Sequence, residues 1–161
     1  MGVLAVERPE HLEAVRGLFR EYAAWLRENG LELGYQGFQE ELCGLPGKYA
    51  PPEGRLLLAL DGSEPAGCVA LRLLGDGVGE MKRLYVRPRF RGSGLGKELA
   101  MRVLEEARAI GYRRVRLDTT TFMPEAKAMY ERLGFYEIEP YYLVPEEVRR
   151  RTVFMELELG P

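Results

Sequence analysis

The apolar positions of this chain follow helical spacing in some stretches and strand spacing in others. Apolar residues recur at intervals of three or four over residues 9–29, 95–110 and 124–133, which predicts three amphipathic helices. A shorter helix is predicted over residues 39–45. Short apolar runs bounded by Gly, Pro and Asp predict seven strands, at residues 3–6, 55–60, 65–74, 79–86, 113–118, 135–138 and 153–159.

The connections between these elements predict how the strands pair. Short Asp- and Gly-containing turns at residues 61–62 and 75–77 join the second, third and fourth strands into an antiparallel meander. A helix separates the fourth strand from the fifth, and this order implies a right-handed parallel crossover. Residues 141–151 form a long charged connection. We therefore expect an α/β (α+β) fold with a mixed, mostly antiparallel sheet, in a single domain over residues 1–161.

Composition and charge argue against several classes of function. The 161 residues are 46% apolar and 30% charged, as in ordinary globular proteins, and the net charge of −2 provides no basic field for nucleic acid. No apolar run approaches the roughly 20 residues of a membrane span, and the N-terminus lacks a signal-peptide core. We expect a cytoplasmic protein without nucleic-acid or membrane partners. Cys43, Cys68 and His11 cannot form a usual zinc site, so we expect no metal, and we expect both cysteines to be buried.

A glycine-rich turn lies between the fourth strand and the helix that follows it. Residues 91–96 read Arg-Gly-Ser-Gly-Leu-Gly. Glycine allows positive φ and close approach of the backbone to a ligand. A helix N-terminus adds unpaired N–H donors and a partial positive charge. The turn is therefore predicted to bind a pyrophosphate.

Three phosphate-binding motifs compete to explain this turn. A Walker A loop needs its first glycine at Arg91 and a Ser or Thr at Glu98, so that motif fails. The dinucleotide fingerprint needs its third glycine at Lys97, although Asp118 lies about 20 residues further on, where an acidic residue would hold a ribose. The third pattern, R/Q-x-x-G-x-G/A, matches the turn at every position.

Two separated motifs make the chain resemble the GNAT superfamily of N-acetyltransferases, in the form of a small bacterial member. Residues 84–96 read Leu-Tyr-Val-Arg-Pro-Arg-Phe-Arg-Gly-Ser-Gly-Leu-Gly, and residues 128–135 read Ala-Met-Tyr-Glu-Arg-Leu-Gly-Phe. The resemblance covers most of the chain. It implies the GNAT fold, a single twisted sheet of about seven strands flanked by helices, in which residues 80–86 and 113–118 run parallel but splay apart.

The resemblance also implies a co-substrate, acetyl-CoA, between the splayed strands. Its pantetheine arm would pair with the backbone of Leu84, Tyr85 and Val86, because strand groups freed by the splay need partners. Its pyrophosphate would lie on the turn. The cofactor-binding residues expected there are Arg91, Gly92, Ser93, Gly94, Leu95, Gly96 and Lys97.

Acetyl transfer to an amine needs a base, a donor to the oxyanion and an acid for the departing thiolate. By resemblance, Tyr130 is the acid, with a core tyrosine as the alternative interpretation. Glu80 is the candidate base, through water, and a solvated or salt-bridged edge carboxylate is the alternative. Asp118, Glu21 and the C-terminal acids are weaker candidate bases. By resemblance, the oxyanion donor would be a backbone N–H near Tyr85 or Val86.

Loops that could cover the cleft supply the candidate acceptor-binding residues. These are Tyr35, Gln36, Phe38, Phe122 and Tyr142. The sequence departs from the family pattern in two places nearby. Residues 121–123, Thr-Phe-Met, replace a loop that often carries Asn, and residues 141–147 lack an expected Asn-Pro. We therefore expect an altered acceptor site.

The sequence predicts an acetyl-CoA-dependent N-acetyltransferase. It would act on a primary amine of a small molecule or peptide, by direct attack in a ternary complex. Two alternatives remain open: a non-catalytic acyl-CoA-binding or regulatory module, and a dinucleotide oxidoreductase. A homodimer is expected from the resemblance alone.

Overall fold

The computed structural model describes residues 1–160, apart from the side chain of Tyr35. The strands are β1 (Gly2–Ala5), β2 (Arg55–Asp61), β3 (Glu64–Gly75), β4 (Val78–Val86), β5 (Arg114–Thr120), β6 (Tyr136–Ile138) and β7 (Thr152–Glu158). The α-helices are α1 (Pro9–Glu28), α2 (Phe38–Cys43), α3 (Leu95–Ile110), α4 (Pro124–Leu133) and α5 (Glu146–Arg149). Short 3₁₀ turns occur at Gly34–Gln36, Gly47–Tyr49 and Pro88–Phe90.

The seven strands form one sheet in the order β1-β2-β3-β4-β5-β7-β6. Neighbouring strands are antiparallel except β4 and β5, which are parallel and joined through α3. This arrangement confirms the predicted mixed, mostly antiparallel sheet. Helices cover both faces, and each face has its own apolar core. One core packs against α3, and the other packs against α1 and α2.

The parallel pair separates soon after it begins. The facing residues of β4 and β5 start at Val78 and end at Glu80, which lies opposite Arg116. Beyond Glu80, β4 continues to Val86 without a facing residue on β5. The predicted splay is therefore confirmed. It leaves strand-edge N–H and C=O groups that need other partners.

Three local predictions need correction. The helix predicted over residues 39–45 is the six-residue α2, whose buried residues are Phe38 and Leu42. Cys43 follows Leu42 by one position, about 100° around the helix, so it faces solvent, whereas Cys68 on β3 is buried as expected. The connection over residues 141–151 contains the short helix α5. No helix within residues 1–160 has the length and apolar character needed to cross a membrane.

Candidate active site

A cavity of about 640 Å³ opens where β4 and β5 part. Its walls are the second half of β4, the glycine-rich turn, the end of β5, the start of α4 and the inner face of α1. The splay therefore creates one continuous space between the glycine-rich turn and the closed end of the parallel pair.

The predicted cofactor-binding residues largely line this cavity. Those in its wall are Leu84, Tyr85, Val86, Arg91, Gly92, Gly94, Leu95 and Gly96. The structure does not bring Ser93 and Lys97 into the wall. The Ser93 hydroxyl donates to the carbonyl of Phe90 at 2.6 Å, and Lys97 is exposed on the first turn of α3.

Backbone conformation explains the glycines of the turn. Gly92 and Gly94 have φ values of +82° and +86°, and an added Cβ at either position would meet nothing within 4 Å. Conformation rather than crowding therefore requires glycine here. Gly94 is the N-cap of α3 and supplies no side-chain cap, so the first N–H groups of α3 have no capping side chain. These are the donors that suit an anion.

Arg91 extends from the turn into the cavity. Its Nε donates to the carbonyl oxygen of Val86 at 2.9 Å. Its guanidinium also lies 5.9 Å from the ring centres of Trp25 and Tyr85. The first residue of the motif thus contacts the end of β4.

A bulge in β4 changes which residues face the closed end of the cavity. Lys82 faces Ala70 of β3 and Tyr85 faces Cys68, so two residues of β4 lie opposite the single residue between them. Arg83, within the bulge, has a φ of +61°, which is uncommon for a residue with a side chain. Consecutive strand residues normally point to opposite faces. Here, the bulge turns Lys82 and Arg83 to the same side.

Both cations meet at one amide oxygen. Oε1 of Gln36 accepts from Nζ of Lys82 at 3.0 Å and from Nη1 of Arg83 at 2.9 Å. Arg83 also forms a bidentate ion pair with Glu41, at 2.8 and 3.1 Å, and both side chains are only 4% exposed. Burial would raise the pKa of Glu41, but Arg83 holds it below its ordinary value.

 The charge of Arg83 is therefore balanced within the protein.

Glu80 lies behind the cavity wall, at the last facing pair of β4 and β5. Its side chain is 2% exposed. Oε1 accepts from Nε of Arg72 at 2.9 Å, and Oε2 accepts from the hydroxyl of Tyr141 at 2.7 Å. Burial would raise the pKa of Glu80, but Lys82, Tyr141 and Arg72 together lower it below its ordinary value. Glu80 is thus an ionised carboxylate held by two hydrogen-bond donors.

Tyr130 lies in the cavity wall, on the inner face of α4. Its ring packs against Phe135 with the ring centres 5.7 Å apart. Burial raises the pKa of its hydroxyl, so the hydroxyl keeps its proton at neutral pH. No hydrogen bond to this hydroxyl is made by the part of the chain that the structure describes. The two interpretations of Tyr130, core residue and cavity residue, are therefore compatible.

Among the predicted acceptor residues whose side chains the structure describes, only Phe122 lines the cavity. Its ring centre lies 5.6 Å from that of Trp25 on α1. Trp25 and Tyr22 also line the cavity, although neither is among the residues predicted for the site. The only feature of the sequence that indicates them is the apolar periodicity of α1, which does not distinguish a residue of the core from a residue of a cavity wall.

Three other predicted acceptor residues lie directly behind the wall. Each contacts a wall residue: Gln36 bonds to Lys82, Phe38 packs 5.4 Å from the guanidinium of Arg83, and Tyr142 donates to Oδ2 of Asp118 at 2.7 Å. The side chain of Tyr35 lies outside the described residues. Asp118, considered above only as a weaker base, lies in the wall itself.

The described residues include no group of three or more His, Cys, Asp or Glu side chains placed to hold a metal ion. The titratable side chains of the cavity wall belong to Lys, Arg, Tyr, Asp and Glu residues. Side chains of these types can bind charged groups and can donate or accept protons.

Comparison with known proteins gives the same family by sequence and by fold. The model of the acetyltransferase (GNAT) family matches residues 15–135. An uncharacterised N-acetyltransferase of Schizosaccharomyces pombe is 38% identical over 162 residues, covering 99% of this chain and 96% of that protein.

Two solved structures share the fold. An acetyltransferase from Streptococcus agalactiae has a TM-score of 0.79 at 23% identity, with 98% of each chain covered. The PaiA N-acetyltransferase of Thermoplasma acidophilum, in complex with coenzyme A, has a TM-score of 0.75 at 18% identity, covering 98% of this chain and 99% of that one. With the family match and the relative in Schizosaccharomyces pombe, the splayed sheet and its glycine-rich turn mean that this chain belongs to the GNAT family of acetyltransferases.

Proposed function

We propose that this protein transfers the acetyl group of acetyl-CoA to a primary amine of a small molecule or peptide, by direct attack in a ternary complex. The observation that carries the proposal is the gap between β4 and β5. It runs from a glycine-rich helix N-terminus to a buried, ionised carboxylate, with a protonated tyrosine in its wall.

The residues of the cavity fit acetyl-CoA as a substrate. The turn at Gly92 and Gly94 has the backbone conformation and the uncapped N–H groups that a pyrophosphate needs. The free edge of β4 from Leu84 to Val86 suits the amides of a pantetheine arm. The family match and the coenzyme A complex of the related fold support the same assignment.

The roles that we assign to Glu80 and Tyr130 follow from which groups carry a proton at neutral pH. An alkylammonium has a pKa of about 10.4 and must lose a proton before its nitrogen can attack the thioester carbon. We assign that proton to Glu80, through water. The oxyanion that forms would accept from a backbone N–H near Tyr85 or Val86. When the carbon–sulfur bond breaks, Tyr130 would give its proton to the sulfur. The nitrogen, which still carries one proton more than the amide, would release that proton and so restore Tyr130, and Glu80 would return its own proton to solvent. The products are an N-acetyl amide and the free thiol of CoA.

Release of the CoA thiol tests this proposal. Purified protein is incubated with acetyl-CoA and a panel of primary amines, and free thiol is measured against reactions without amine. Amine-dependent release supports the proposal. A non-catalytic module would bind acetyl-CoA without amine-dependent release, and an oxidoreductase would be stabilised by NAD(P) but not by acetyl-CoA in a thermal-shift assay. Either of these results would overturn it.

Three further expectations rest on the sequence and the resemblance alone. They are a single domain over residues 1–161, a cytoplasmic location and a homodimer. Light scattering of the purified protein tests the last of these directly.

A further inference from the structure

Lys82 is a cation at the cavity wall whose charge is only partly matched by the protein. Its side chain is 9% exposed, and its Nζ lies 3.0 Å from Oε1 of Gln36 and 4.0 Å from Oε2 of Glu80. Burial, together with the charge of Arg83, lowers the pKa of Lys82, and the surrounding carboxylates offset this only in part. A buried ammonium is costly without a close anion. The site therefore favours an additional negative charge near Lys82.

The neighbouring carboxylates already accept hydrogen bonds from other donors. Both oxygens of Glu41 accept from Arg83. Glu80 accepts from Arg72 on one oxygen and from Tyr141 on the other. Within the described residues, Lys82 makes a single hydrogen bond, to Gln36, whereas an ammonium has three donors. Lys82 therefore has donors left for a ligand.

Asp118 is the complementary group on the other strand. It lies in the same wall, near the end of β5, and accepts from the hydroxyl of Tyr142 at 2.7 Å. Across the described part of the chain, no Lys or Arg forms an ion pair with Asp118. The ion pairs formed by Glu80, Arg83, Arg114 and Arg116 are internal to the protein. Once they are set aside, the charged side chains that β4 and β5 present to the cavity are one cation, Lys82, and one anion, Asp118.

We infer that the acceptor amine also carries a carboxylate, as a free α-amino acid does: the carboxylate binds Lys82 and the ammonium binds Asp118. This inference rests on the proposed function and names the substrate class of that site. A peptide N-terminus has an amide where the amino acid has its carboxylate, so it leaves Lys82 without its anion. The same holds for a simple alkylamine. The site therefore selects free amino acids over both.

Matched sets of amines test this selection. Each set contains an α-amino acid, its carboxamide and the decarboxylated amine, with CoA thiol release as the readout. We expect kcat/KM to be about 10- to 100-fold higher for the acid than for the other two, the range for a hydrogen bond to a charged group. Equal or better turnover of the carboxamides or the decarboxylated amines overturns the inference and leaves the proposed function standing. Absence of release with every amine overturns both.

The Lys82→Met variant tests whether Lys82 is the source of the selection. It keeps an unbranched side chain, one atom shorter than that of Lys, and removes the charge. We expect it to raise KM for amino acids about 10- to 100-fold and to lower kcat/KM for the carboxamides much less, so that the preference for the acids is lost; we expect Lys82→Arg to restore part of the preference. Lys127→Met is the matched control, because Lys127 on α4 pairs with Glu137 outside the cavity wall.

A loss of activity that is equal for acids and carboxamides would give Lys82 a structural or proton-transfer role instead, and would overturn the inference. If Lys82→Met does not fold, as judged by circular dichroism, the preference of the wild-type protein among the matched amines decides the question alone.

Discussion

Nε of Arg91 donates to the carbonyl oxygen of Val86 at 2.9 Å, so the first residue of the phosphate-binding motif contacts the strand end assigned to pantetheine. The guanidinium lies over Trp25 and Tyr85, inside the cavity. In the proposed complex, Arg91 and the pantetheine arm would compete for the same carbonyl. Binding of acetyl-CoA should move the guanidinium toward the pyrophosphate, where its charge has a partner.

Fluorescence of Trp25 reports this movement, because Trp25 is the only tryptophan of the chain. We expect titration with CoA to change its emission intensity or wavelength as the guanidinium leaves the ring. In Arg91→Met, the change should be smaller, because no cation departs, and CoA should bind more weakly. An unchanged emission in wild-type protein that binds CoA by calorimetry would contradict this prediction.

Gly94→Ala should weaken CoA binding more than it destabilises the fold. A residue with a side chain at a φ of +86° costs about 1 kcal/mol, and relief of that strain would move the N–H groups of the turn away from the pyrophosphate. We expect Kd for CoA to rise about tenfold. Gly111→Ala is the matched control: Gly111 has a φ of +106° at the other end of α3, and its added Cβ also meets nothing within 4 Å. Equal Kd values for the two variants would contradict the role of the turn.

Tyr130→Phe should lower kcat by about 10- to 100-fold with little change in KM for acetyl-CoA. The ring packing on Phe135 is retained, and only the proton donor is lost. Because burial raises the pKa of Tyr130, we expect no loss of activity from its ionisation between about pH 6 and 9. The control is Tyr136→Phe, which removes an exposed hydroxyl bonded to Glu156. Full kcat in Tyr130→Phe would exclude the acid role.

Glu80→Gln should lower kcat by about 100-fold across neutral pH without shifting the pH profile. The reason is that its lowered pKa keeps the wild-type carboxylate ionised throughout that range. Because folding lowers the pKa of Glu80, its carboxylate stabilises the fold at pH values above its ordinary pKa of 4.5. This contribution is lost as the pH falls through the pKa that Glu80 has in the folded state. The Tm difference between wild type and variant should thus be largest near neutrality and shrink in acid. An unchanged kcat would remove Glu80 from the mechanism.

Glu41→Gln should destabilise the fold by about 3–5 kcal/mol, because it leaves the buried guanidinium of Arg83 without a charged partner. Chemical denaturation measures the change. Glu40→Gln alters the preceding, exposed residue of α2 and should change stability by less than about 0.5 kcal/mol. Similar losses in the two variants would show that the Arg83–Glu41 pair is not a source of stability.

The sequence by itself determined the features that depend on neighbours along the chain. Apolar periodicity predicts the strands and the long helices, and the spacing of Gly92, Gly94 and Gly96 predicts the turn before α3. The same periodicity directs Tyr130 inward from α4. These features are local, because turn conformation and the face of a helix are set by residues a few positions apart.

Only the tertiary structure decided the chemistry at the closed end of the cavity. The bulge in β4 sets Lys82 beside Arg83, and Gln36, from a distant turn, bonds to both. The partners of Glu80 come from β3 and from the loop after β6. A pattern of apolar and polar positions encodes burial and periodicity but not which distant charges pair. Lys82 and Asp118 come to line one cavity only because β4 and β5 part.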